Sequence, residues 1–390
     1  MSTPRFRHFH HLDDAVVERL FLHSPQPVGH DDPTRVLALA LGATLYVPGN
    51  RADLARTIER RFANGVTSMV IDLEDAVADD EEDHAAACAV AALDELADGP
   101  AAAMLLFVRT RTPERIPKIA AELGPGRTAL SGFVLPKFTS AIARDGLDAV
   151  VRASEVLGKH LYAMPVLESP EIVYRETRDI ELGSIAEILG EYRSHVLAAR
   201  IGATDMCGMF GIRRDRDLTI YDVRVAADAI ASIINYLGRA GDAGHIITGP
   251  VWEYFADHER LFRPTLRQTL FADHDAVLFR QHLVSRDIDG LLREIALDRA
   301  NGMHGKTVIH PTHVAAVHAL SAVTHEEYHD AVDIAGGDAG GVRTSTYRNK
   351  MNELKPHRRW AQGVLDRAHV FGVTNPNITF VDLLTALVPA

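Results

Sequence analysis

The chain has 390 residues, 47% of them hydrophobic and 24% charged, enough for one large domain with appendages or for two ordinary ones. Acidic residues outnumber basic ones 53 to 41, and the net charge of -12 disfavours a long nucleic-acid or anionic-membrane footprint while leaving room for a small anionic ligand in a local basic pocket. No apolar run approaches the roughly 20 residues of a membrane helix, and the start MSTPRFRHFHHLDD lacks the apolar core of a signal peptide, so a cytoplasmic protein is expected.

Residues 1–42 read as a Pro- and His-containing arm. Its His8, His10 and His11 suggest a transition-metal cluster, but a mobile polar terminus is the preferred reading. From Ala43 onward, short runs rich in Val, Ile, Leu and Met alternate with longer stretches of helical composition. The runs are ATLYVP from Ala43, SMVIDL from Ser68, MLLFVR from Met104, GFVLPK from Gly132, LYAMPVLE from Leu161, HVLAARIG from His195, HIITG from His245 and KTVIHP from Lys306. Eight such units predict an α/β protein, a (β/α)8 TIM barrel over residues 43–322. After the first run, RADLARTIERRFANG places Leu54, Ile58 and Phe62 at helical spacing and stops at Asn64-Gly65.

The segment before the eighth strand is too long for one crossover helix, so a helical insertion is expected at about residues 253–290, broken near Pro264. Its Arg263, Arg267, Arg280 and Arg286 offer a phosphate pocket, with a solvated or subunit-contact face as the preferred reading. Residues 323–390 read as a C-terminal helical extension, a lid or an oligomerisation arm. After the eighth strand, THVAAVHALSAVTHEEYHDAVDIAGG, from Thr312, is expected to stay helical until Gly336 and Gly337. HGKT, from His304, is no phosphate loop: the earlier glycine that motif requires falls at Ala300, and the tripeptide enters a strand. Cys88 and Cys207 are far apart and fit neither a disulfide framework nor a thiolate zinc site.

Barrels of this type place their chemistry at the C-terminal ends of the strands. Those ends carry Asn50 and Arg51, Glu74 and Asp75, Arg109, Lys137, Glu168, Asp205 and His310. Carboxylates converging with an arginine and a lysine suit a magnesium-type ion and an anionic substrate, since hard oxygens hold the ion and a guanidinium clamps a carboxylate. Each residue also has a plainer reading. Glu168 and Asp205 could cap helices, Lys137 could be a snorkelling surface residue, and His310 could be a proton carrier or a structural hydrogen-bond partner. In MVIDLEDAVADD, Asp72 and Glu74 point to one side by the two-residue period and Asp75 begins the turn.

In order and spacing, LYVPGNR, MVIDLEDAVADDE, FVRT, FVLPK, VLES, GATDMCG and HGKTVIHPTHVAAV resemble the citrate lyase beta-subunit and malyl-CoA lyase family of the HpcH/HpaI aldolase superfamily, from about Ala43 to Ser321. The resemblance implies a Mg2+-dependent carbon-carbon bond lyase, with Mn2+ as the alternate ion, acting by retro-aldol or retro-Claisen chemistry on a hydroxy or oxo acid or its CoA thioester. It implies Glu168 and Asp205 as metal ligands, Arg109 as the grip on an oxoacid carboxylate, Glu74 and Asp75 as partners of metal-bound water, and Lys137 as added positive field. Asn50, Arg51 and His310 complete the expected substrate contacts, and a homo-oligomer, trimer or hexamer, follows from the same resemblance.

Two features depart from the family. The third strand reads VRTRTPE where an asparagine usually follows the arginine, and NKMNELKPH leaves Glu353 as the nearest match to a lid aspartate supplied to a neighbouring subunit. The arm, the insertion and the C-terminal segment look more like a divergent bacterial branch, often associated with tellurium-resistance gene clusters, than like a metabolic CoA-ester lyase. Two other functions stay open at this stage: an aldolase-type condensing enzyme of a biosynthetic cluster, and a non-catalytic metal- or ligand-binding scaffold.

Overall fold

The computed structural model describes residues 4–241, 243–255, 288–337 and 340–387. Eight parallel strands run in chain order: β1 Ala43–Pro48, β2 Ser68–Asp72, β3 Leu105–Arg109, β4 Leu130–Leu135, β5 Tyr162–Leu167, β6 Ala199–Ile201, β7 Ile247–Thr248 and β8 Lys306–Val308. Neighbours pair in the order β7-β6-β5-β4-β3-β2-β1-β8. The ring closes where the Thr307 amide donates to the Gly249 carbonyl at 3.0 Å and the Gly249 amide to Gly305 at 3.1 Å. The fold is the expected (β/α)8 barrel.

Strands β2 to β5 are buried along their whole length. One face fills the barrel and the other lies under helices, so the sequence shows continuous apolar runs and no polar alternation. The helix Leu54–Ala63 turns Leu54, Ala55 and Ile58 inward and ends at Asn64, with Gly65 at φ +87°. In β4 the pairing with β3 skips Ser131, whose hydroxyl accepts the Leu106 amide at 3.0 Å. The next residue must be glycine: a Cβ on Gly132 would lie 1.9 Å from the Tyr162 carbonyl oxygen.

Register sets the mouth of the barrel. Pro48 stands opposite Asp72, and Asp72 opposite Arg109. The other end is closed by the N-terminal segment. Arg5–Phe6 pairs with Val28–Gly29, and His8 is 1% exposed. The His8 ring bonds to the Ala40 carbonyl at 3.1 Å and to Thr67 at 3.4 Å, and stacks on Phe371 at 4.2 Å. The expectation of a mobile polar terminus fails here, because the His8 ring packs against Phe6, Phe9 and Phe371 and the His10 ring stacks on Phe62 at 4.4 Å.

Past β8, the predicted continuous helix is two, Thr312–Ser321 and His325–Ala335. Ala322 turns the backbone to φ -58°, ψ 145°, and the Thr324 hydroxyl caps the second helix by accepting the Glu327 amide at 3.2 Å. A ribbon of Val342–Thr344 and Met351–Glu353 follows, then the helix Leu354–Phe371. That helix packs beside Thr34–Ala40, tied by Arg35 to Asp366 at 2.6 Å. The predicted break at Pro264 and the arginines Arg263, Arg267, Arg280 and Arg286 lie outside the described residues. No described helix is long and apolar enough to cross a membrane.

Candidate active site

The register of β2 and β3 makes the first contact of the site. Arg109 donates from Nε and from Nη2 to the two oxygens of Asp72, both at 2.6 Å, a bidentate pair that is almost fully buried. Nη1 reaches Glu74 Oε2 at 2.9 Å and Asp75 at 3.3 Å. Burial opposes the charge of Arg109, but the bonds to Asp72 win and raise its affinity for the proton. All three acidic residues of the DLEDAV stretch therefore gather on one guanidinium, Asp75 included, although alternation alone separates it from the other two. Arg111 fixes the same loop, donating to the carbonyls of Glu74 at 3.0 Å and Val77 at 2.8 Å and pairing with Asp79.

Lys137, just past β4, contributes twice. Its backbone takes the left-handed conformation, φ +49°, and its amide donates to Glu168 Oε1 at 3.0 Å. Its ammonium meets Glu74 Oε1 at 2.7 Å and Asp75 at 3.7 Å, and the bond to Glu74 raises the lysine's pKa. The side chain is 57% exposed, as a surface lysine's would be, but its ammonium is paired with carboxylates of the site. Glu74 is itself raised, first by burial and then by Asp75.

Glu168 follows β5 and is 3% exposed. It caps no helix: Ser169 holds that position, as Gly202 does for the helix Ala203–Gly208 that carries Asp205. A Cβ on Gly202 would fall 1.8 Å from Glu168 Oε2, so glycine here makes the space the carboxylate occupies. Burial, together with the negative charges of Asp205 and Glu74, pushes Glu168 up to about 8. A buried carboxyl that holds its proton this far, beside a second carboxylate, fits a site for a hard divalent cation. Among the described residues no group of three or more His, Cys, Asp or Glu could hold a metal, so an ion at Glu168 and Asp205 would need water or substrate oxygens to complete its shell.

Tyr46 of β1, which sequence reasoning passed over, sits between two guanidinium groups, Arg109 at 5.3 Å and Arg200 at 5.6 Å from its ring centre. Arg200 lies 1% exposed inside the barrel and donates to Thr307 at 2.5 Å. The remaining expected residues make other contacts. Asn50 donates to Glu81 at 2.8 Å, Arg51 to Asp53 at 3.1 Å, and His310 stacks on Phe255 with its Nδ1 2.7 Å from Thr312. Glu353 lies in the ribbon, and no hydrogen bond or ion pair joins it to the strand-end carboxylates.

The model of the family described as C-C bond lyases of the TIM-barrel fold matches residues 35–373. The chain belongs to this family. Among solved structures, the Mycobacterium tuberculosis protein CitE in complex with magnesium, acetoacetate and coenzyme A is 18% identical, with a TM-score of 0.52 over 84% of this chain and 97% of that one. A citrate lyase from Burkholderia xenovorans LB400 is 15% identical, with a TM-score of 0.57 over 86% and 94%. At these identities the likeness is one of fold. No curated protein matches the sequence significantly, and nothing in these comparisons bears on tellurium resistance. As a C-C bond lyase, the chain places its carboxylate and guanidinium groups at the end of the barrel where the fold puts chemistry.

Proposed function

We propose that this lyase is Mg2+-dependent and cleaves a small hydroxy or oxo acid, or its CoA thioester, by retro-aldol or retro-Claisen chemistry. The observation that carries the reading is Glu168: buried, facing Asp205, and pushed up to about 8 where a divalent ion would relieve it. A divalent ion held there supplies Lewis acidity toward a carbonyl or alkoxide oxygen as the bond breaks. Arg109 and Lys137 add positive field beside the developing enolate. Asp72 takes two of the Arg109 donor groups and so orients the guanidinium toward the mouth. Glu74 and Asp75 orient ligand waters from behind. The CitE structure, which shares the fold and was solved with magnesium, acetoacetate and coenzyme A, supports the same class of ligand. A lid role for Glu353 calls for a second copy of the chain, consistent with a homo-oligomer.

Calorimetric titration of oxaloacetate, pyruvate and glyoxylate, with and without Mg2+, tests this on the wild type and on Glu168→Ala. Binding of at least one oxoacid that requires Mg2+ and vanishes in the variant is expected. If none binds with Mg2+ present, the lyase assignment of this site is wrong.

A further inference from the structure

The helix His325–Ala335 opens on HEEYH, which sets His325 and His329 one helical turn apart on the same face. Their imidazoles meet. Nε2 of one lies 3.2 Å from Nε2 of the other, with ring centroids 4.3 Å apart. Two nitrogen ligands about 2.0–2.1 Å from a tetrahedral ion stand about 3.3 Å apart, so the pair is already near the bite of a chelate. Nδ1 of His325 is 2.7 Å from the phenol oxygen of Tyr347, which the ribbon turn carries over the helix. A hydrogen bond at that nitrogen is what orients a ligating imidazole and leaves the Nε2 lone pair for an ion. His23 packs edge-on against Tyr328, between the two histidines in sequence, at 5.1 Å. Both rings of the pair are half-buried, with one side open to solvent.

We propose that His325 and His329 chelate a borderline divalent ion of the Zn2+, Ni2+ or Cu2+ class, with Tyr347 as the outer hydrogen-bond partner. The site shares no residue with the carboxylates at the barrel mouth and does not depend on the function assigned to them. Imidazole nitrogen selects this class of ion against Mg2+, which takes oxygen ligands. The His-Glu-x-x-His pattern also occurs in zinc peptidases, where the glutamate acts as general base. Here Glu326 is occupied by Asn349 at 2.9 Å and Lys350 at 2.6 Å, and the described residues offer no third His, Cys, Asp or Glu to complete a set. Water fills the remaining positions, and the ion clips two successive turns of the helix without peptidase chemistry.

The test is competition for Zn2+ between the untagged protein and a chromophoric chelator, run in excess Mg2+ so that the barrel-mouth carboxylates are masked. His325→Ala and His329→Ala each bind one Zn2+ fewer than the wild type while keeping its far-UV circular dichroism, and Tyr347→Phe weakens that ion about 10-fold or more. His84→Ala, which breaks the other pair at this spacing, His84 with Cys88 at 3.6 Å, keeps the site. Electron paramagnetic resonance of Cu2+ on the wild type gives a reading that does not depend on variants folding: nitrogen hyperfine splitting is expected. Unchanged Zn2+ stoichiometry in both His325→Ala and His329→Ala, loss of the ion in His84→Ala, or a Cu2+ spectrum without nitrogen splitting overturns the proposal.

Discussion

Two clusters of buried charge lie in this barrel, and they differ in how completely their groups are satisfied. Away from the mouth, Lys306 at the start of β8 donates to Glu294 at 2.9 Å and Asp298 at 2.7 Å. The other oxygen of Glu294 takes Arg214 and the Ile220 amide, and that of Asp298 takes the Tyr221 hydroxyl at 2.8 Å. Two carboxylates face two cations, and every carboxylate oxygen has a donor. At the mouth, Asp72, Glu74, Asp75, Glu168 and Asp205 outnumber the cations that pair with them among the described residues, Arg109 and Lys137. Burial lifts Asp298 to about 6, with Lys306 pulling the other way, whereas Glu168 reaches about 8 with a backbone amide as its hydrogen-bond donor. Closed networks hold structure together; an acidic cluster short of positive charge is where a cation belongs.

The contrast predicts opposite failures. Lys306→Ala strips the closed cluster of the cation its two carboxylates share, and removing one partner of a buried ion pair costs about 3–5 kcal/mol. Urea denaturation is expected to show a loss of that order, with Mg2+ affinity of the folded fraction unchanged. A stable Lys306→Ala protein that binds Mg2+ poorly would reverse the assignment of the two clusters.

The next effect in size is pH dependence at the mouth. Mg2+ must displace the proton of Glu168, so affinity is expected to fall about tenfold per unit as pH drops below about 8, and to level off above it. Stability without metal runs the other way. The folded pKa lies above the unfolded value of about 4.3, so the folded state binds more protons. That stability is complete below about pH 4.3 and is lost as pH rises through about 8. Calorimetry and denaturation at pH 6, 7 and 8.5 read both slopes, and Mg2+ affinity that is flat across this range would remove Glu168 from the ion. Smaller again is Gly202→Ala, whose Cβ drives into Glu168. About 1–3 kcal/mol of overpacking strain is expected, together with weaker Mg2+ binding.

The barrel was legible because strands buried on both faces leave apolar runs that punctuation by helices makes countable; each of the eight predicted runs overlaps one strand, the fourth starting two residues inside Leu130–Leu135. Glu168, Asp205, Arg109 and Lys137 could be named because the fold fixes which end of a strand carries chemistry. Their partners could not. That Asp75 joins Asp72 on Arg109 depends on a loop pinned by Arg111, 37 residues beyond Glu74 and in no periodic relation to it. Tyr46 and Arg200 read as ordinary barrel-lining residues until β1 and β6 are brought face to face. The break at Ala322 hid because THVAAVHALSAVTHEEYH keeps helical composition across it, and only a threonine cap marks the restart. The N-terminal histidines misled for a related reason: a polar residue type says nothing of the aromatic rings that fold around it.

The smallest expected effect carries the finest distinction. Glu74 is bound by Lys137 and Arg109, and in the proposed assignment its carboxylate acts on the ion through intervening waters and through the lysine. Glu74→Gln keeps the volume and one acceptor oxygen, and partners at this remove typically cost about 10-fold in metal affinity. Glu168→Gln removes a charge that would touch the ion and is expected to cost much more. Lys137, freed from Glu74, should then lose part of the hydrogen bond that raises its pKa, which falls toward the ordinary lysine value. Mg2+ titration of the two glutamine variants side by side decides the matter: if Glu74→Gln is the more damaging, Glu74 is the ligand and Glu168 the residue behind it.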